Sequence, residues 1–398
     1  MPYMRMMDHT QAPLAPSAED AYAPQSLSRV CLLIGQLGLG GAEKQLVLLA
    51  RGLSERGIRT HLLVLFHRGP REAELEGSGV VLEDLGFQRV TLSRKSLMCN
   101  ARAFARLLVL LRKERPQVVQ AFLLHSYVLA APAARLARVP VVVAGRRSLG
   151  FFKRGHRVAL ALERLATRWT DLLVANAQAV ADDVRRDEGV PDCKLTVVPN
   201  GMPDKEFELA PPAEVDTALP VVLCVANLAD HKGHRYLLEA CAELRHGGQP
   251  CTLVLIGDGA ERHALEGLAA RLGIDVRFLG FRTDVAGFLA RADVVVLPSL
   301  YEGSSNAVME AMAAGRPVVA TAVGGTPELL QDGRGVLVAP ADPTALADGL
   351  RSVLGDREAA AGLGRRAREW ALANLTADVM VDRYVTLYHK LLERRFTA

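Results

Sequence analysis

Short apolar, β-branched runs alternate with stretches of helical periodicity along the whole chain. The strand-like runs fall at 30–34, 60–66, 118–121, 139–144, 172–175 and 196–199. A second series falls at 220–226, 251–256, 276–279, 293–297, 317–321 and 335–338. Helical patterns fill the gaps, for example over 42–55, 101–113, 236–244 and 305–314. Near-continuous apolar strands separated by helices predict parallel sheets covered on both faces. The series restarts near residue 220, after a stretch of Pro, Ala and acidic residues with weak periodicity. The pattern predicts an α/β protein of two doubly wound, Rossmann-like domains facing each other across a cleft. The expected divisions are a disordered tail (1–28), a first domain (29–201), a linker (202–219), a second domain (220–375) and a C-terminal helix (376–398) packing back on the first domain. Ligands of such sheets bind beyond the carboxyl ends of the strands.

Composition adds a charge split. The 398 residues are half apolar and 23% charged, and 48 Lys and Arg against 44 Asp and Glu leave a net charge of +4. Residues 1–200 carry a net +10 and residues 201–398 a net −6, with 17 basic residues against two acids between 89 and 168. Such asymmetry points to a nucleic acid, a membrane surface or an anionic substrate. The six cysteines form no C-x-x-C and no ligand spacing with histidine, which predicts reduced thiols in a cytosolic protein without a structural metal. The first residues include Arg5 and Asp8 and lack the apolar core of a signal peptide. The longest uncharged window, 116–134, contains Pro116, Gln117, Gln120, His125 and Pro132. It is a poor membrane span, so membrane contact is expected to be peripheral.

The first strand runs into Gly35-Gln36-Leu37-Gly38-Leu39-Gly40-Gly41-Ala42-Glu43 and a helix. Glycines there let backbone approach an anion at a helix N-terminus. The dinucleotide fingerprint fits poorly: counted from Gly38, its last glycine falls on Glu43, and the second strand ends Leu65-Phe66-His67 without an acid for a ribose. No P-loop sequence occurs.

The most informative segment is Pro298-Ser299-Leu300-Tyr301-Glu302-Gly303-Ser304-Ser305-Asn306-Ala307-Val308-Met309-Glu310, which follows a strand. Ser304, Ser305 and Asn306 are all N-cap types. The helix they open aims its free N–H groups into the cleft, where a diphosphate would sit without a metal. Glu302 before the helix and Glu310 about one turn into it would both reach polyhydroxy groups.

This E-x7-E element resembles the signature of retaining glycosyltransferases of the GT-B fold, in the glycosyl transferases group 1 family. Val276 to Gly280, Gly315 to Ala320 and Gly324-Gly325-Thr326-Pro327-Glu328 resemble the flanking motifs. The stretch from Cys224 to Gly233 resembles the loop carrying a Lys-Gly pair. Gly40-Gly41-Ala42-Glu43 resembles the donor-proximal loop, and Val118 to His125 a strand ending in a site histidine.

The resemblance implies metal-independent transfer of a sugar from a nucleoside diphosphate, a UDP-sugar favoured over a GDP-sugar, to an acceptor hydroxyl with retention. It implies no cofactor beyond that co-substrate. Lys232 would meet the diphosphate, Glu302 the transferred sugar's hydroxyls and Glu310 the ribose. Backbone at Gly303, Ser304, Ser305 and Asn306 would face sugar or diphosphate. Gly40, Gly41, Asn227, Gly257, Gly280 and Phe281 would border the rest of the donor, and His125 would orient it. The family's arginine before the lysine has no counterpart in Ala226-Asn227-Leu228-Ala229, so Arg146 or Arg147 is expected to share that charge. Arg146, Arg147, Lys153 and Arg154 are also expected on the acceptor and membrane side, facing an anionic, lipid-linked saccharide in cell-surface polysaccharide or glycolipid synthesis. The expected location is the cytoplasmic face of a membrane. The competing readings are a nucleotide-sugar epimerase on the same architecture and a non-catalytic nucleic-acid binder. The latter lacks any helix-turn-helix, zinc-finger or RRM pattern.

Overall fold

The computed structural model describes residues 26–88, 93–147 and 157–397. Lys153, Arg154 and the tail up to residue 25 lie outside the described residues. The first domain runs β1 (Arg29–Gln36), α1 (Gly41–Glu55), β2 (Arg59–His67), β3 (Val81–Asp84), α2 (Arg94–Glu114), β4 (Val118–Phe122) and α3 (Leu124–Leu136). It continues through β5 (Val141–Arg146), α4 (Arg157–Arg168), β6 (Leu172–Ala175), α5 (Gln178–Glu188) and β7 (Leu195–Val197). The second runs β8 (Val221–Val225), α6 (His234–His246), β9 (Thr252–Ile256), α7 (Arg262–Leu272), β10 (Asp275–Phe278), α8 (Val285–Arg291) and β11 (Val294–Leu297). It continues through α9 (Asn306–Ala313), β12 (Val318–Thr321), α10 (Thr326–Leu330), β13 (Val336–Val338) and α11 (Pro343–Gly355), before α12 (Arg357–Asn374) and α13 (Ala377–Thr397).

The sheets are parallel throughout, in the orders β3-β2-β1-β4-β5-β6-β7 and β10-β9-β8-β11-β12-β13. Chain order reverses between β1 and β4 in one sheet and between β8 and β11 in the other. These are the crevices where ligands of doubly wound sheets bind. Both faces of each sheet are covered, which is why the strands read as unbroken apolar runs. On one face of the first sheet, Leu46, Val47, Leu49, Ala50 and Leu53 of α1 pack with Met380, Val381, Tyr384, Tyr388, Leu391 and Leu392 of α13. The last helix thus completes the core of the first domain. Its two buried tyrosines keep their hydroxyls paired: Arg147 donates to Tyr384 at 2.7 Å, and Tyr388 donates to Gln120 at 3.1 Å.

Four details differ from the sequence reading. The edge strand β3 is new: it is four residues long and ends in Glu83 and Asp84, so it carries little apolar signal. Helix α2 starts seven residues earlier than its periodicity, at Arg94, because the Ser93 side chain caps it by accepting from Ser96 N. Residues 26–28 are tied down rather than loose. The Gln117 carbonyl oxygen accepts from Ser28 N at 2.7 Å and Arg29 N at 3.1 Å, its amide donates to Ser26 O at 3.1 Å, and Leu27 is buried. Residues 202–219 are irregular but anchored: Met202 bonds the main chain on both sides of the α12–α13 junction at 2.7 Å, and Phe207 is buried.

The largest correction concerns arginine. Arg146 does not face acceptor, diphosphate or membrane. It is 3% exposed, stacked over the Tyr127 ring at 3.9 Å, and paired with Glu163 at 3.4 Å and Glu188 at 3.0 Å. A guanidinium at the end of an interior strand must be neutralised on the spot, and carboxylates from α4 and α5 do so. Arg147 is also turned inward. It lies over the Phe122 ring at 4.1 Å and donates to Asn200 at 2.6 Å and to Tyr384. Burial lowers its pKa. Replacing Glu163 with Ala removes one of two carboxylates from a desolvated arginine. A loss of about 3 kcal/mol is expected in urea unfolding; a change under about 1 kcal/mol would show that Glu188 alone suffices.

Candidate functional site

The second-domain rim is built by two loops that leave adjacent strands. The turn after β8 carries Asn227, Lys232 and Gly233, and the loop after β11 carries Ser299 to Ser305. Main chain joins them, with Leu300 N donating to His231 O at 2.8 Å. The His231 and Tyr301 rings stack 4.9 Å apart. Gly233 is required: its φ is +67°, and a Cβ there would lie 2.1 Å from the Pro298 carbonyl oxygen. Gly324 presses on the same loop from behind, where a Cβ would lie 1.8 Å from Glu302 O. With both loops held, Lys232 Nζ sits 2.5 Å from Glu302 Oε1, which also accepts from Ser299 Oγ at 2.8 Å. Of the three N-cap candidates, Ser305 caps α9, accepting from Val308 N at 3.4 Å. Lys232, Glu302 and the start of a helix thus form one patch carrying a cation, an anion and free N–H groups.

The rim continues through Gly257, whose N–H donates to Gly280 O at 2.8 Å, and through Leu228 N, which donates to Asp258 O at 3.0 Å. Asn227 and Phe281 are exposed on this stretch.

The first domain meets that rim at its own switch point. Gly40 is the N-cap position of α1. At Gly41 the missing side chain leaves space for the Asn306 amide, which lies 2.8 Å from where a Cβ would be. Asn306 Oδ1 also accepts from Asn200 at 3.1 Å, and Asn200 in turn accepts from Arg147. One turn along each helix, Lys44 of α1 lies 3.0 Å from Glu310 of α9 and 3.2 Å from Glu206. Burial raises the Glu310 pKa, and Lys44 opposes that rise. A second bridge uses Glu328, whose carboxylate accepts from Gln178 N at 2.8 Å and Ala179 N at 3.0 Å at the start of α5. Glu328 therefore serves the domain seam.

His125 stands at the C-terminal end of β4, exposed, with its ring edge-on to Phe66 at 5.9 Å. Leu123 before it holds φ +70°, a strained turn of the kind kept where a rim residue must be aimed. His125 shares a cleft of about 510 Å³ with Gln36, Glu43, Phe66 and Ser126. The structure thus brings Lys232 to Glu302, Gly41 to Asn306 and Gly257 to Gly280. It joins Glu310 to Lys44, a residue the sequence reading passed over. Glu43 and His234 were also missed as single residues. Glu43 was read only as part of a glycine loop, and nothing in the pattern marked His234 as buried.

The sequence comparisons agree with this geometry. Residues 39–206 match the model of Glycosyltransferase Family 4, and residues 219–356 match that of Glycosyl transferases group 1. The two matches leave little of the described chain uncovered, and the protein belongs to the glycosyl transferases group 1 family: it is a glycosyltransferase of GT-B fold. Among its relatives is the lipopolysaccharide core biosynthesis glycosyltransferase LpsE of Rhizobium meliloti, 29% identical over 87% of this chain and 95% of that protein. A glycogen synthase of Mycobacterium tuberculosis is 33% identical over 67% of this chain and 66% of its own. Anabaena Alr3699/HepE, solved in complex with UDP, superposes with a TM-score of 0.76 at 24% identity, covering 90% of this chain and 99% of that one.

His234, beside Lys232 at the start of α6, gives the rim a pH signature. Both of its ring nitrogens are buried without a hydrogen-bond partner among the described residues. Burial, with Lys232 and His231 adding repulsion, pushes its pKa down to about 4. The unfolded chain, with a pKa near 6.5, then binds the extra proton, so stability is full above pH 6.5 and falls as pH drops towards 4. The loss due to this residue is about 3 kcal/mol. A His234→Leu variant should unfold with a correspondingly flatter dependence on pH over that window. An unchanged slope would contradict it.

Proposed function

We propose that the protein transfers a hexose from a UDP-sugar to a hydroxyl of a lipid-linked saccharide with retention at the anomeric carbon. The observation that carries this reading is the Lys232–Glu302 pair at the N-terminus of α9. Lys232 and the helix N–H groups meet the diphosphate as it departs, which is electrostatic stabilisation of developing charge. Glu302 accepts hydroxyl hydrogens of the transferred sugar, and Glu310 those of the ribose. His125 orients the donor from the opposite rim. The acceptor oxygen forms its bond to the anomeric carbon on the face from which the diphosphate leaves. The bond from the anomeric carbon to the bridging oxygen breaks, that oxygen leaves on the diphosphate, and a phosphate oxygen takes the acceptor proton. No metal is called on: Lys232 and the helix dipole supply the positive charge. A UDP complex of a structure of the same fold, and relatives named for lipopolysaccharide core synthesis, support this choice of donor and acceptor.

A lipid-linked acceptor is further supported by the outer face of the first domain. Leu97, Met98 and Val109 are exposed on α2 among Arg94, Lys95, Arg102, Arg112 and Lys113. Arg112 donates to Leu136 O on α3, and Arg135 donates to the main chain of exposed Trp169 after α4. The three helices therefore form one basic and apolar face. Such a face lies on an anionic bilayer, each basic residue contributing about 1 kcal/mol. Among the described residues no helix is long and apolar enough to cross a membrane.

Incubating purified protein with a panel of nucleotide sugars, with and without membrane extract, should release UDP from one UDP-sugar. A Lys232→Ala variant should lower kcat about 10²- to 10³-fold. Release from no donor would overturn the reading, and an inverted anomeric centre in the product would overturn retention. The protein should also co-sediment with anionic vesicles at low salt and detach as salt rises; absence from the pellet at low salt would remove the membrane claim.

A further inference from the structure

The cleft below His125 belongs to the half of the chain with a net charge of +10, yet its chemistry is not cationic. Glu43 is its charged side chain, 9% exposed and without an ion-pair partner among the described residues. Arg71, whose charge reaches Glu43, is already held by Glu74 at 2.5 Å. The glycine loop folds round the Glu43 carboxylate. A Cβ on Gly40 would lie 2.4 Å from Glu43 Oε2, and one on Gly38 would lie 3.8 Å from Oε1 and 3.5 Å from Gln36 Nε2. The loop therefore holds a carboxylate and an amide side by side at the cleft wall. Ser126, fully buried at the same wall, has a hydroxyl with no partner among the described residues. Phe66 and the edge-on His125 ring supply an apolar side.

A carboxylate, an amide, a hydroxyl and an imidazole around an aromatic ring match a sugar's hydroxyls and C–H face. They oppose a phosphate, which would bring a second negative charge to Glu43 while Arg71, the nearby cation, is engaged by Glu74. We propose that this cleft takes the acceptor's terminal ring as a neutral sugar, that Glu43 positions that ring by accepting from its hydroxyls, and that sugar phosphates are rejected there. The inference rests on the nucleotide-sugar reading above. Any anionic group of the acceptor then lies outside the cleft, on the basic helical face. Gly41, two residues before Glu43, touches Asn306 of the donor rim, so a ring held by Glu43 adjoins the donor.

The test uses the full chain saturated with UDP. Saturation-transfer NMR is run with methyl glycosides of glucose, galactose, mannose and N-acetylglucosamine, and with the 6-phosphates of the same sugars. At least one glycoside should bind, with the phosphates at least tenfold weaker. Glu43→Ala should weaken glycoside binding at least tenfold while UDP affinity stays within twofold, which also shows that the variant is folded. Glu43→Gln keeps an accepting oxygen and should restore most glycoside binding while admitting the phosphates. Equal binding of phosphates and glycosides by the parent protein, glycoside binding by Glu43→Ala within twofold of the parent, or binding of no glycoside would each overturn the proposal. If Glu43→Ala loses UDP binding, the Glu43→Gln result decides: unchanged rejection of phosphates overturns the proposal. Failure of the parent protein to bind UDP would instead overturn the nucleotide-sugar reading.

Discussion

A half-buried carboxylate on an apolar helix needs a cation, and the pairing of Glu310 with Lys44 organises the rest of the molecule. Ala307, Val308, Met309, Ala311 and Met312 surround Glu310 in sequence, and burial alone would favour its neutral form. Lys44 reaches it from the other domain, with Glu206 taking a second of its hydrogens. For the two to meet, the start of α1 must lie against the start of α9, and Gly41 permits that approach by leaving room for Asn306. The same contact turns the carboxyl ends of both sheets towards each other. Under the ribose role proposed for Glu310, it also couples site to seam. A diol that hydrogen-bonds Glu310 engages the carboxylate that holds the domains together, so whatever strengthens one contact alters the other.

The chain closes this arrangement with its last helix. Helix α13 leaves the second domain and buries two tyrosines under the first. Tyr384 fixes Arg147, Arg147 fixes Asn200, and Asn200 reaches Asn306 at the head of α9. A line of polar contacts thus runs from the C-terminal helix through the first domain to the donor rim. Arg147 is committed to scaffolding by that line. Its stacking on Phe122 and the hydrogen bonds from both terminal nitrogens, to Asn200 and Tyr384, turn the guanidinium into the scaffold.

Legibility in the sequence followed burial. Strands buried on both faces announced themselves as apolar runs, whereas edge strand β3, ending in two acids, did not. Spacing and resemblance singled out Lys232, Glu302 and Glu310, because glycine turns and helix starts leave local marks. What lies across the sheet left none. Arg146 counts as a surface charge until Glu163 and Glu188, from two later helices, are seen beside it. Glu328 looked like part of a rim motif until its carboxylate was found on α5. Lys44 and Glu43 are adjacent residues with opposite destinations, one in the seam and one in the cleft. Linear order assigns neither, because side chains one residue apart on a helix point about 100° apart.

That divergence bears on how net charge should be read. The excess of basic residues in the first half sits on exposed α2 and around α3 and α4, while the cleft in the same domain presents a carboxylate. The arginines nearest the interior are neutralised or stacked. On the readings proposed above, the charge that meets a membrane surface and the carboxylate that meets a reacting hydroxyl sit in different parts of the first domain, the outer helical face and the cleft at the strand ends. Long-range attraction falls off over a screening length of about 8–10 Å and suits the outer face. Hydrogen-bond geometry acts over about 3 Å and suits the cleft. An acceptor with an anionic body and a neutral sugar tip satisfies both faces at once.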